Sequence, residues 1–187
     1  MFDRGEKAMK VELKKATVND ARCIWEMQVE AFSGLYTKYN DTETNPAAES
    51  LERMIERLEQ PFTYYYIIEA DSKSVGAIRI IDKGKGSAKR ISPVFVLPEH
   101  RHKGIAGKAV LEAEKIHGGN CWELDTILQE EALCRFYEEL GYKRTGKTEI
   151  INEKLTLVFI ERLEQMKGRD KHENARRFHC LCKVWWI

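Results

Sequence analysis

Along this chain, stretches in which hydrophobic and polar positions alternate give way repeatedly to stretches in which the apolar residues recur at helical spacing. From Val11 the segment MKVELKKATV alternates with period two and predicts a strand. Thr17, with Asp20 three residues on, has the pattern of a capping box and opens a helix whose apolar face is Ile24, Trp25, Met27, Ala31 and Phe32. The stretch SGLYTKYNDTET that follows is polar and aromatic without a period and predicts a loop from Ser33 to Thr44. Asn45 and Pro46 then read as the N-cap and first turn of a second helix, with Leu51, Met54, Ile55 and Leu58 as its stripe and Pro61 as its stop.

Two β-rich runs, FTYYYIIEA and SVGAIRIID, are separated only by DSK and predict an antiparallel hairpin. A basic loop, GKGSAKR, leads into RISPVFVL, a fourth strand with Pro93 inside it. Proline cannot donate to a ladder, so this strand is expected at an edge, bulged, or parted from a neighbour near that residue. A helix from Gly104 to Ile116 and a fifth strand, NCWELDTIL, follow. The helix QEEALCRFYEELGY carries Leu133, Phe136, Tyr137 and Leu140 at helical spacing and stops at Gly141. YKRTGKTEII and KLTLVFIERL complete the pattern as two strands turning at Asn152 and Glu153. The expected architecture is α/β (α+β), a mixed and mostly antiparallel seven-stranded sheet with helices on both faces.

Composition narrows the functional classes. The 187 residues carry 31 basic and 30 acidic side chains, a net charge of +1, so no global field recruits nucleic acid. No apolar run approaches the roughly 18 residues of a membrane span, and MFDRGEKAMK lacks the hydrophobic region of a secretory signal. Five cysteines without framework spacing read as reduced thiols, and the protein is expected in the cytoplasm. His179, Cys180 and Cys182 lack zinc spacing and a second ligand pair, so no metal is expected.

The segment LPEHRHKGIAGKAVLEAEKIHGG concentrates small residues and cations where a strand ends and a helix begins. The first amides of a helix lack partners, and the helix dipole adds partial positive charge there, so a phosphate can sit against them. Close approach needs small side chains, which Gly104, Ala106 and Gly107 provide, while Arg101, His102, Lys103 and Lys108 add flanking charge. Neither GxxxxGK[ST] nor GxGxxG occurs.

Taken in order, the strand, two helices, hairpin, VFVLPEHRHKGIAGKAVLEAE, fifth strand and ALCRFYEELGYKRTG resemble the GNAT superfamily of acyl-CoA-dependent N-acetyltransferases from about Lys10 to Leu163. The resemblance implies acetyl-CoA as cosubstrate, with its pyrophosphate on the loop of Arg101, His102, Lys103, Gly104, Ile105, Ala106, Gly107 and Lys108. It implies the pantetheine arm along the backbone of Val94, Phe95 and Val96, on a strand splayed from its neighbour. Tyr137 matches the tyrosine that commonly protonates the leaving thiolate; its plain alternative is a core residue on an apolar stripe. Gln129 stands where the family often has an asparagine that contacts pantetheine, and its amide offers a similar hydrogen bond.

Acyl transfer to an amine also needs a neutral amine and a donor for the carbonyl oxygen, expected near Val94 or Phe95. No carboxylate lies on ISPVFVL; Ser92 offers only a water-positioning hydroxyl, and Asp125 and Glu130 read equally well as helix-start or surface acids, so no general base is assigned. The acceptor, a primary amine on a small molecule or peptide, is expected near the loop from Ser33 to Thr44 and the hairpin containing Tyr64 to Tyr66; Asp41, Glu43 and Glu49 are acids near it. His100, His102 and His117 read as exposed side chains. A non-catalytic acyl-CoA sensor or interaction module is the alternative to an enzyme. The domain is expected over 9–165, followed by a basic aromatic tail, 166–187, whose cations and tryptophans also suit an anionic interface. Oligomeric state is open, a homodimer included.

Overall fold

The computed structural model describes residues 9–163 apart from 85, 119 and 120, and the basic aromatic tail lies outside the described residues. In chain order the elements are β1 (Val11–Lys15), α1 (Ala21–Tyr39), α2 (Leu51–Glu59), β2 (Thr63–Ala70), β3 (Lys73–Ile81), β4 (Lys89–Val96), α3 (Ile105–His117), β5 (Cys121–Ile127), α4 (Glu131–Glu139), β6 (Lys143–Asn152) and β7 (Leu155–Leu163). The seven strands form one sheet in the order β1-β2-β3-β4-β5-β7-β6. Every neighbouring pair is antiparallel except β4 with β5.

Each face of the sheet is covered by one pair of helices because alternate strand residues supply two apolar surfaces. On one face Ile24, Met27 and Ala31 of α1 and Met54 of α2 pack on Tyr65, Ile67, Ala77 and Phe95. On the other, Ala109, Val110 and Ala113 of α3 and Cys134 and Tyr137 of α4 pack on Ile78, Ile80, Ile91, Trp122, Leu124 and Ile160. Fully burying side chains of this size contributes about 1.5–3 kcal/mol each. The hairpin turn between β2 and β3 places Asp71 and Ser72 at φ 47° and 66°, the left-handed pair that matches strand twist in a two-residue connection.

Two sequence expectations change. The predicted loop from Ser33 to Thr44 is helical as far as Tyr39, and only Asn40, in the left-handed conformation, ends α1. The polar residues that broke the apolar period satisfy themselves within the helix: the Ser33 and Thr37 hydroxyls donate to the carbonyls of Glu30 and Ser33. The stripe resumes at Leu35 and Tyr39, packed beside Leu155 and Leu157. Asn45 and Pro46 open only a short 3-10 turn, Pro46–Ala48, with the Asn45 side chain accepting from Ala47 N–H at 2.9 Å. Ser50 is the cap of α2, accepting from Arg53 N–H at 3.2 Å.

Of the three options that Pro93 left open, the edge is eliminated, since β4 lies between β3 and β5, and the other two both occur. The β3–β4 register shifts between Ile78 and Ile80, opposite Ser92 and Pro93. The Ser92 carbonyl accepts from Arg79 at 3.3 Å across this shift. β4 pairs with β5 only through Lys89↔Trp122 and Arg90↔Glu123, and beyond that point the two strands separate. Arg90 spans the paired end, bonded to Asp125 and 3.9 Å from Glu123.

Candidate active site

The gap between β4 and β5 opens toward their C-terminal ends, where each strand leads into a helix. Backbone alternation decides what β4 offers to it. Leu97 N–H donates to Val75 C=O on β3 at 2.8 Å, and Phe95 opposes Ala77, so the amides of Leu97 and Phe95 face β3. Val94 and Val96 therefore turn their N–H and C=O groups toward the gap. Phe95, expected as an alternative donor, has its ring buried under α1, 5.8 Å from Phe32.

Beyond β4 the chain makes a short turn, Pro98–His100, and then two left-handed residues, His102 at φ 59° and Gly104 at φ 71°. Turn backbone of this kind can line successive amides around a concavity that suits an anion. The Lys108 amide makes the first bond of α3, to Gly104 C=O at 3.2 Å, so the amides of Ile105, Ala106 and Gly107 precede it, at the positive end of the dipole. A Cβ on Gly104 would meet nothing within 4 Å, so its requirement for glycine comes from φ. A Cβ on Gly107 would make ordinary contacts, at 3.6 and 3.7 Å, with the side chains of Phe136 on α4 and of Leu140 just after it.

The cations around this turn are mostly engaged with backbone. Arg101 folds back, its Nε donating to Val96 C=O at 3.0 Å and a terminal nitrogen to Ala31 C=O at 2.6 Å. It fastens the end of β4 to α1 instead of standing beside α3. Its amide is also used, bonding Pro98 C=O at 3.2 Å. Lys103 reaches Glu99 C=O and Lys108 reaches Met9 C=O. His102 is exposed.

Tyr137, on α4, is 8% exposed and belongs to the same apolar cluster as Val96 and Ile105. Its ring meets Phe136 and Tyr142 edge-on, at 4.8 and 5.9 Å between centroids. Burial pushes its phenol pKa above the ordinary range. Gln129, exposed in the β5–α4 turn, accepts from Thr156 N–H through its carbonyl oxygen at 3.2 Å, leaving the amide nitrogen to face other partners.

Asp125 and Glu130, weighed as bases, and Asp41 and Glu49, expected near the acceptor, have other partners. Asp125 is held by Arg90. Glu130 accepts from the Lys38 ammonium at 2.5 Å and from the Tyr39 hydroxyl at 2.6 Å, bonds that lower its pKa. Asp41 caps the turn to Thr44, and Glu49 pairs with Arg57 at 2.8 Å. In the hairpin, Tyr65 is buried under the helices and the Tyr66 hydroxyl meets His117 Nε2 at 3.0 Å. His117 is therefore half-buried, not exposed, and burial lowers its pKa.

A cleft of about 340 Å³ opens beside the gap, lined by Glu30, Ser33 and Lys38 of α1, by Pro98 and Arg101, and by Glu130. The sequence reading brought Ser33 and Lys38 to the site's border as loop residues; they reach it on a helix. Glu30 was missed, and its only signal is its place one turn before Ser33 on the same helix. The hairpin tyrosines, expected near the acceptor, are not among the lining residues. Among the described residues, no group of His, Cys, Asp and Glu could hold a metal ion, and no helix is long and apolar enough to cross a membrane.

Residues 61–144 match the family model of the acetyltransferase (GNAT) domain. No curated protein sequence matches the chain. Solved structures share its fold: an N-acetyltransferase, PaiA, of Thermoplasma acidophilum in complex with coenzyme A is 20% identical, with a TM-score of 0.67 over 82% of this chain and 99% of that one. The spermidine N-acetyltransferase of Vibrio cholerae in complex with coenzyme A and spermine is 17% identical, with a TM-score of 0.65 over 82% and 95%. An acetyltransferase of Thermus thermophilus is 14% identical, with a TM-score of 0.64 over 83% and 98%.

Proposed function

Because this chain carries a GNAT acetyltransferase domain, we propose that it is an N-acetyltransferase, moving an acetyl group from acetyl-CoA to a primary amine of a small molecule or peptide. The observation that carries the reading is the continuity of the parted β4 with the start of α3. Backbone groups of Val94 and Val96 face a gap that leads directly to the amides of Ile105, Ala106 and Gly107. A pantetheine arm is an amide-bearing chain ending in a pyrophosphate, and the two surfaces match those two parts in order. The chemistry of the donor set fits: neutral backbone donors for the arm, a left-handed turn and helix start for the anion.

Acetyl-CoA supplies an activated thioester. The Val94 amide, turned into the gap, is placed to stabilise the carbonyl oxygen as it gains charge. As the amine nitrogen bonds the carbonyl carbon and the C–S bond breaks, Tyr137, a neutral phenol at physiological pH, gives its proton to the departing thiolate; the proton that the nitrogen loses passes to solvent, from which Tyr137 is reprotonated. The cleft beside α1 receives the amine, with Glu30 on its wall. That a solved relative of this fold holds spermine makes polyamines a natural first acceptor to try.

A non-catalytic acyl-CoA sensor is the competing reading. It is favoured by the engagement of Asp125 and Glu130 in ion pairs and by the lack of a carboxylate on β4. Acetyl transfer to spermidine, a lysine-containing peptide and an aryl amine separates the two. Turnover with any of them, falling about a hundredfold in Tyr137→Phe, is expected of the enzyme with Tyr137 as acid. No turnover alongside acetyl-CoA binding supports the sensor, and a Phe variant at the parent rate makes Tyr137 a packing residue.

A further inference from the structure

The proposed acid and the phosphate cradle stand on different helices, α4 and α3, so the distance between these helices decides whether the phenol reaches the thiolate. A polar chain, buried at Tyr142 and Glu114 and 30% exposed at Arg162, crosses between them. The Tyr142 hydroxyl, on a residue 2% exposed, donates to Glu114 Oε1 of α3 at 2.6 Å. Arg162 of β7 pairs with the other carboxylate oxygen at 2.5 Å, donates to Leu140 C=O at 3.4 Å, and lies over the Tyr142 ring. Tyr142 then holds Tyr137 at two points. Its N–H donates to Tyr137 C=O at 3.0 Å, and the rings meet edge-on with 69° between their planes.

Stability alone does not call for this arrangement, because replacing a buried ionic set by apolar residues of similar volume is often neutral or stabilising. What a phenol, a carboxylate and a guanidinium in sequence demand is one geometry, since each donor must find its oxygen. We propose that Tyr142, Glu114 and Arg162 are positioning residues that lock α4 to α3 and set the Tyr137 hydroxyl at its working distance from the thiol end of the cofactor. The inference rests on the reading of Tyr137 as the acid. Reacting groups must be held to within about 0.5 Å, and a displacement of about 1 Å can cost a hundredfold in rate.

The test is a double-mutant cycle measured with acetyl-CoA and the fastest of the three amines above. Tyr142→Phe keeps the ring and removes only the bond to Glu114. Its kcat should fall about tenfold or more while KM for acetyl-CoA stays within about twofold, because the cradle is untouched. Added to Tyr137→Phe, the same change should have no further effect, since there is no hydroxyl left to position. Glu114→Gln, which keeps the shape of the side chain, should repeat the pattern and serves if Tyr142→Phe does not fold. An unchanged kcat, a parallel rise in KM, or an equal loss in the Tyr137→Phe background overturns the positioning role. A Tyr137→Phe variant with the parent rate overturns the acid reading itself, and this inference with it, which the other outcomes do not.

Discussion

At the scale of single residues, the proposed pyrophosphate cradle turns on Gly104. Its φ of 71° is costly for any L side chain, about 1–2 kcal/mol, although space around a Cβ is open. Gly104→Ala should therefore lose roughly that stability in urea unfolding while binding acetyl-CoA nearly as the parent does. Gly104→Glu adds a carboxylate beside the anion, and calorimetry should show affinity falling by about tenfold or more with the fold retained. Equal affinity in both variants removes the pyrophosphate assignment. Gly76 sets a different limit: a Cβ there would lie 2.1 Å from the Phe95 carbonyl oxygen, so only glycine lets β3 approach β4 where β4 borders the gap.

At the scale of elements, the informative contact is the clasp between the end of α1 and the β5–α4 turn. The Lys38 ammonium and the Tyr39 hydroxyl hold the Glu130 carboxyl below the ordinary range. A carboxyl with a depressed folded pKa stabilises the fold above its unfolded value, about 4.3, and that contribution is lost as pH falls through the folded value. Lys38→Met should therefore lower the urea midpoint at neutral pH, and the difference from the parent should shrink below about pH 4. It should also be smaller in high salt, because the lysine is exposed. A difference that persists unchanged to about pH 2 would mean that the lysine stem, not the ion pair, secures α1.

At the scale of the molecule, the described elements end at Leu163, and solved relatives align over 82% of the chain. We propose that the domain spans 9–165 and that 166–187 is a separate tail of unassigned role. Residues 167–187 hold six basic and two acidic residues, +4, leaving −3 for the remainder, so removal of the tail reverses net charge. Truncation after Gln165 should leave acetyl-CoA affinity within about twofold, because the proposed cradle is built of amides local to the start of α3. Unfolding, or a large loss of affinity, would show that the tail completes the core or an interface.

Periodicity and punctuation were enough to read the seven strands, the two helical pairs and the turn that opens α3. Alternation and helical stripes are imposed by burial, and the Pro98 to Gly104 stretch is a local backbone pattern that neighbours in sequence create. Pro93 likewise declared that something interrupts β4, since a missing N–H is a covalent fact. What it interrupts needed the sheet order, because bulge, parting and edge differ only in which strands lie alongside. The same holds for the second half of α1. Its Ser, Gly and Thr residues break the stripe, and the helix is stabilised by packing of Leu35 and Tyr39 on a strand far along the chain. Tertiary contact alone decided which charges remain available to a ligand. Arg101 reads as a phosphate contact in the sequence and is bonded to Val96 and Ala31 in the fold, while Glu30 reaches the cleft without any motif of its own. A side chain's partner is set by the geometry of distant segments, and spacing along the chain carries no record of it.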